Sequence, residues 1–89
     1  MYDIELSNTA YKFLNKSKLQ KDILDSIEAT ILGLGDDPRP PGCLKMKGFN
    51  GAYYRVRQGD FRVVYEEKDR EKIVVIVFIG NPGDVYRRL

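Results

Sequence analysis

Tyr53-Tyr54-Arg55-Val56-Arg57-Gln58-Gly59-Asp60-Phe61-Arg62-Val63-Val64-Tyr65 is the stretch whose reading decides the fold. Valines and aromatics alternate with polar residues on both sides of Gly59-Asp60, the pattern of two strands joined by a two-residue turn. Gly59 supplies the positive φ that such a turn requires. The register follows from the turn: Gln58 opposes Phe61, Arg57 opposes Arg62, Val56 opposes Val63, Arg55 opposes Val64, and Tyr54 opposes Tyr65. Side chains alternate with period two, so Tyr54, Val56, Val63 and Tyr65 share one surface. Arg55, Arg57, Arg62 and Val64 share the other, and Tyr53 projects to that same side. Two guanidinium groups directly opposite each other repel. Their retention predicts an anion between them, with phosphate the first choice.

Outward from the hairpin, the flanking segments supply two helices and a sheet. Tyr2-Asp3-Ile4-Glu5-Leu6 alternates apolar and acidic, as a short half-exposed strand does. Ser7 or Asn8 can cap a helix running through Lys16, with Ala10, Phe13 and Leu14 at helical spacing. A longer helix is predicted from about Lys18 to Leu34, where Leu19, Ile23, Ile27 and Ile31 recur every four residues. Gly33 and Gly35 read as its stop signals. The loop Gly35-Asp36-Asp37-Pro38-Arg39-Pro40-Pro41-Gly42 carries the chain to the sheet edge, where Leu44 to Lys47 form a short strand. A turn follows at Gly48-Phe49-Asn50-Gly51. Glu66 to Lys72 reads as a solvated charged connection. Ile73 to Ile79 is apolar at every position, as a central strand covered on both faces would be. Gly80-Asn81-Pro82-Gly83 then turns the chain into a short final segment, Asp84 to Leu89. The expected fold class is α+β: two N-terminal helices on one face of a small antiparallel sheet, in the order β-α-α-β-β-β.

The 89 residues make one domain, and 43% apolar with 31% charged residues is an ordinary globular composition. No apolar run is long enough to span a membrane, and the N-terminus lacks the regions of a signal peptide. One cysteine, Cys43, builds no disulfide framework, so a reducing cytoplasm is expected. With no histidine in the chain, Cys43 is a poor nucleophile and reads as loop packing. The net charge of +2 is unevenly spread. Between positions 45 and 62, five basic residues face Asp60 alone, a local +4 that leaves −2 for the rest. Such a concentration suits an anionic partner such as nucleic acid.

Taken together, Lys45-Met46-Lys47-Gly48, Tyr54-Arg55-Val56-Arg57, Gly59-Asp60-Phe61-Arg62-Val63-Val64-Tyr65, the apolar strand and Asp84-Val85-Tyr86-Arg87-Arg88 resemble the RelE/ParE superfamily of toxin–antitoxin toxins. The match covers about Leu44 to Leu89, and the preceding β-α-α order agrees, so residues 1–89 are expected to be a single toxin domain. The resemblance implies a compact fold similar to microbial ribonucleases. RelE-like members cut messenger RNA in the ribosomal A site without a cofactor, whereas ParE-like members poison DNA gyrase. It also implies a cognate antitoxin as partner, together with the ribosome and messenger RNA, and no membrane. By the same resemblance Arg57, Arg62 and Tyr86 are the candidate catalytic residues: Arg62 would stabilise the reacting phosphate, and Tyr86 would stack on or orient the nucleotide. Lys45, Lys47, Arg55 and Arg87 would hold the RNA.

The resemblance breaks after the apolar strand. RelE-like toxins carry Gly followed by a basic residue and an arginine there, and this chain has Gly80-Asn81-Pro82-Gly83. Neither Asn81 nor Pro82 donates a proton as an acid or neutralises an oxyanion with a full charge. Arg57 stands where some relatives have a lysine that can act as base, and an arginine holds its proton far above neutral pH. Three readings therefore stand side by side: an RNase assisted by the ribosome, a gyrase inhibitor, and a catalytically inactive relative acting only through its antitoxin. Arg62 also has a structural alternative, an ion pair with Glu66 on the same strand face.

Overall fold

A computed structural model describes residues 1–16, 18–47 and 51–81. The element order is β1 (Asp3–Leu6), α1 (Asn8–Lys16), α2 (Lys21–Asp36), β2 (Leu44–Lys45), β3 (Tyr53–Gln58), β4 (Phe61–Lys68) and β5 (Ile73–Gly80). The strands form one sheet in the order β1-β5-β4-β3-β2. The hairpin register is the one the turn dictates, from Gln58 opposite Phe61 to Tyr54 opposite Tyr65, and it continues to Tyr53 opposite Glu66. Gly59 sits at φ 61°, so the first central position of the turn takes the left-handed backbone that glycine tolerates.

Both helices pack on one face of the sheet. Tyr54, Val56, Val63, Tyr65, Val74, Ile76 and Ile79 meet Ala10, Ile27, Ile31 and Leu34 there in the main core. Burying each of the larger aliphatic chains contributes about 1.5–3 kcal/mol, which is what holds these two short layers together. α1 begins where the sequence places a cap: the Ala10 amide donates to Ser7 Oγ at 3.1 Å. Ser7 Oγ in turn donates to the Val77 carbonyl at 2.7 Å, tying the helix start to β5.

The fold class is as expected, with one pairing the short first strand did not announce. β1 lies parallel to β5, from Asp3 opposite Ile73 to Leu6 opposite Ile76, which makes the sheet mixed. A helical connection returns the chain to the same end of the sheet, and only a parallel strand fits that path. β5 is accordingly interior, flanked by β1 and β4, although β4 is the middle strand. The register slips once: Tyr65 opposes Ile76 but Val64 opposes Phe78, so Val77 is an extra residue in β5.

Two boundaries differ from the sequence reading for local reasons. α2 starts at Lys21 because Gln20 supplies no capping side chain. It runs through both glycines to Asp36, and Gly35 is there for space: a Cβ would lie 2.9 Å from the Tyr2 carbonyl. The Tyr2 amide donates to the Gly35 carbonyl at 2.7 Å, so strand and helix touch backbone to backbone. The connection read as Glu66 to Lys72 is shorter, because β4 continues through Lys68. Glu67 is therefore inside a strand and only 7% exposed, not solvated.

The proline-rich loop is fixed by polar contacts beneath it. The Tyr65 hydroxyl donates to the Pro38 carbonyl at 2.6 Å, and Arg39 Nε donates to Glu67 Oε1 at 2.9 Å. The Arg39 guanidinium lies 5.5 Å from the Tyr54 ring centroid, and that ring stacks on Tyr65. Burial raises the Tyr65 phenol pKa, and the Glu67 hydrogen bond raises that of Arg39. At the turn after β4, the Tyr2 hydroxyl donates to Asp69. That bond pushes the Tyr2 phenol up to about 12 and holds the Asp69 carboxyl below its ordinary value.

Candidate nucleic-acid interface

The sheet face away from the helices carries the candidate site, and strand register fixes its layout. Arg57 opposes Arg62 on one rung, Arg55 opposes Val64 on the next, and Tyr53 opposes Glu66 on the third. Successive same-face rungs are spaced by about 7 Å. Beside the first rung, Arg62 faces Gly80 of β5, which contributes no side chain. The floor between and beyond the rungs is apolar: Met46, Val64 and Phe78 are buried together, with Tyr53 and Val77 packed against them.

The first rung brings two positive groups together with no internal neutraliser. The carboxylate–cation pairs among the described residues are Arg39–Glu67 and Lys72–Asp69. Arg62 thus does not pair with Glu66, and the structural alternative for it is not realised. Arg57 Nε donates to the Gly59 carbonyl at 2.8 Å, which leans its guanidinium along the turn and leaves its terminal nitrogens outward. Arg57 is exposed and Arg62 half-buried.

The two lysines do not join this group as one cluster. Lys45 opposes Tyr54, whose ring belongs to the helix-side core, so Lys45 sits on the opposite face of the edge strand from the arginines. Its neighbour Leu44 takes the place opposite Arg55. Alternation along the edge strand explains this correction: two lysines flanking Met46 cannot share the face that Met46 occupies. Lys47 is exposed in the turn after β2. Tyr86 and Arg87 lie outside the described residues, as do the turn at Gly48 to Asn50, Pro82, Gly83 and the final segment. Asn81 is exposed directly after β5.

Glu66 is the residue the sequence reading undervalued. It was taken as the start of a solvated connection, yet it is half-buried on the middle strand, between Tyr53 and Val75. The signal was available, because Tyr65 on the core side requires Glu66 to face the arginines. Among the described residues, no three or more histidine, cysteine, aspartate or glutamate side chains are grouped to hold a metal. Chemically, the face can grip phosphates through planar guanidiniums and accept hydrogen bonds at one carboxylate.

Comparison with known proteins bears on this arrangement. The family described as ParE toxin of type II toxin-antitoxin system, parDE, matches residues 4–86. No curated protein matches the sequence. Among solved structures, the archaeal RelE–RelB complex of Pyrococcus horikoshii is similar with a TM-score of 0.78 at 24% identity, covering 92% of this chain and 96% of that one. The intact E. coli RelBE toxin–antitoxin complex gives 0.76 at 19% identity, covering 91% and 96%. The isolated E. coli RelE toxin gives 0.75 at 19% identity over 100% of both chains. At these identities the likeness speaks for the fold.

Proposed function

This chain belongs to the ParE toxin family of type II toxin–antitoxin systems, and from that premise we propose that it is a ribosome-dependent messenger RNA endoribonuclease that stops translation. The observation that carries the reading is the Arg57–Arg62 rung: two directly opposed guanidiniums on the helix-free face, neither paired with a carboxylate among the described residues. Like charges held face to face destabilise a hairpin unless an anion separates them. Bidentate arginine contacts suit a phosphate.

Cleavage would proceed by attack of a ribose 2′-hydroxyl on the adjacent phosphorus, in line with the departing 5′ oxygen. The 2′ oxygen gives up its proton and forms the new P–O bond, while the 5′ oxygen leaves with the old one and takes up a proton. Arg62 and Arg57 would stabilise the extra negative charge of the phosphorane, and Arg55 would hold the neighbouring backbone. Tyr86 would orient the nucleotide, and Lys45, Lys47 and Arg87 would contribute outer contacts to RNA. Without histidine, acid–base help is weak, which forgoes about 10²–10⁴ in rate. A ribosome that holds the transcript in line would offset part of that through orientation. Inducing the chain in cells and mapping transcript 5′ ends tests this, and intact transcripts under continuing translation would overturn it.

A second reading is favoured by two observations: the matching family is ParE, and Asn81-Pro82 replaces the basic residues RelE-like toxins carry. Inhibition of DNA gyrase needs a binding surface and no cleavage groups. A supercoiling assay with excess toxin decides it, because unimpeded gyrase excludes it. In either case a cognate antitoxin is the expected partner, as RelB is for the RelE chains in the solved complexes. The reading frame beside this one in its genome should encode it.

A further inference from the structure

The third rung of the arginine face has a composition that packing does not explain. Glu66 stands on the middle strand of five, flanked by half-buried Tyr53 and Val75, over a floor of Val64, Phe78 and Met46. A carboxylate in such a place is normally paired or hydrogen-bonded. Glu66 makes no ion pair or hydrogen bond to another described residue, although three arginines share its face. Beside it the backbone gives way: Gly51 sits at φ 98°, and a Cβ there would lie 3.2 Å from the Tyr53 ring and 3.5 Å from Glu66 Oε2. A hydrogen therefore replaces any side chain at the point where an aromatic ring and a carboxylate oxygen converge.

The geometry points to a nucleobase subsite at Tyr53, Glu66 and Gly51, selective for guanine, an inference that rests on the RNA-binding reading of the arginine face. Guanine presents two adjacent N–H donors, N1–H and the exocyclic amino group, and a carboxylate accepts both. Adenine and uracil offer no such pair on one edge. The Tyr53 ring supplies an apolar surface on which a single-stranded base can lie. The spacing agrees: two rungs separate this pair from Arg57 and Arg62, about 13 Å along the strand. A stretched single strand that places a phosphate on the first rung reaches the third with a nearby base. Arg55 on the rung between them neutralises the backbone that crosses, so the carboxylate faces a base and not a phosphate.

The test uses the full chain, freed of antitoxin, and short labelled single-stranded RNAs differing at one position: guanine, inosine (which lacks the exocyclic amino group) or adenine. Fluorescence anisotropy should show about tenfold tighter binding of the guanine strand than of the other two. Glu66→Gln, which keeps size and fold, should erase that preference while leaving adenine-strand affinity in place. Tyr53→Leu should weaken all three strands alike. Equal binding of guanine and inosine strands, or a preference that survives Glu66→Gln, overturns the subsite. If that happens while Arg62→Ala still weakens every strand, the arginine face stands and the subsite alone falls. Binding that is absent, or indifferent to Arg62→Ala, removes both.

Discussion

Glu66 and Glu67 are neighbours in sequence and opposites in circumstance. Glu67 points to the helix side, is nearly sealed, and accepts a hydrogen bond from Arg39, whose guanidinium also lies over Tyr54. On the other side of the same strand Glu66 has no such partner, and Arg57 and Arg62 oppose each other without one. One face has spent its charges on holding the proline-rich loop, and the other keeps its charges available. Residue type alone does not separate a structural arginine from a ligand-gripping one. Whether the protein itself satisfies the charge does.

Four substitutions strain that contrast, beginning with the largest effect. Arg62→Ala should reduce toxin action about 10²–10³-fold, as loss of a phosphate-stabilising group does, while thermal unfolding shifts little. Growth after induction, read beside calorimetry, checks both halves, and an unfolded variant would make Arg62 structural after all. Arg39→Met should do the reverse: it strands the buried Glu67 carboxylate and lowers the unfolding temperature by several degrees, with toxicity kept wherever the domain is folded. Calorimetry of that variant at neutral pH is the check. Gly59→Ala sits between the two, because a Cβ at φ 61° costs about 1 kcal/mol. It also disturbs the turn that aligns Arg57 with Arg62, so stability and RNA binding should both drop modestly.

The smallest effect is a titration. The Tyr2 hydroxyl lowers the Asp69 pKa, so its contribution to folding is present above the unfolded carboxyl value and is lost as pH falls through the folded one. The same contact raises the Tyr2 phenol to about 12, so that contribution holds below the ordinary phenol value and disappears as pH rises toward 12. Tyr2→Phe should return the Asp69 carboxyl toward its ordinary range in an NMR titration. It should leave the arginine face unaffected.

The hairpin was fully legible because a single glycine turn and strict alternation fix every pair at once. The helices were legible in position but not at their ends, since Gln20 gives no cap and Gly35 answers to the Tyr2 carbonyl, not to a helix stop. The parallel partner of β1 was hidden because four alternating residues carry no mark of what lies beside them. Lys45 misled by spacing: basic residues two apart look like one cluster with the arginines until β2 register turns them to the other face. Arg39–Glu67 was invisible, as its partners are 28 positions apart in a loop and a strand. Tyr86 and Arg87 remain expectations of the resemblance.

The Ser7 hydroxyl joins residues 70 positions apart, capping the first helix while holding the bulged strand near the other end of the chain. Pairing that remote makes the closing loop about as long as the domain, and such topologies assemble slowly. The first strand cannot dock until the last has been synthesised, so a half-made chain has no finished sheet on which to display its arginines. Synthesis of the poison and acquisition of its potency are separate moments, and a protective partner has that interval in which to intervene.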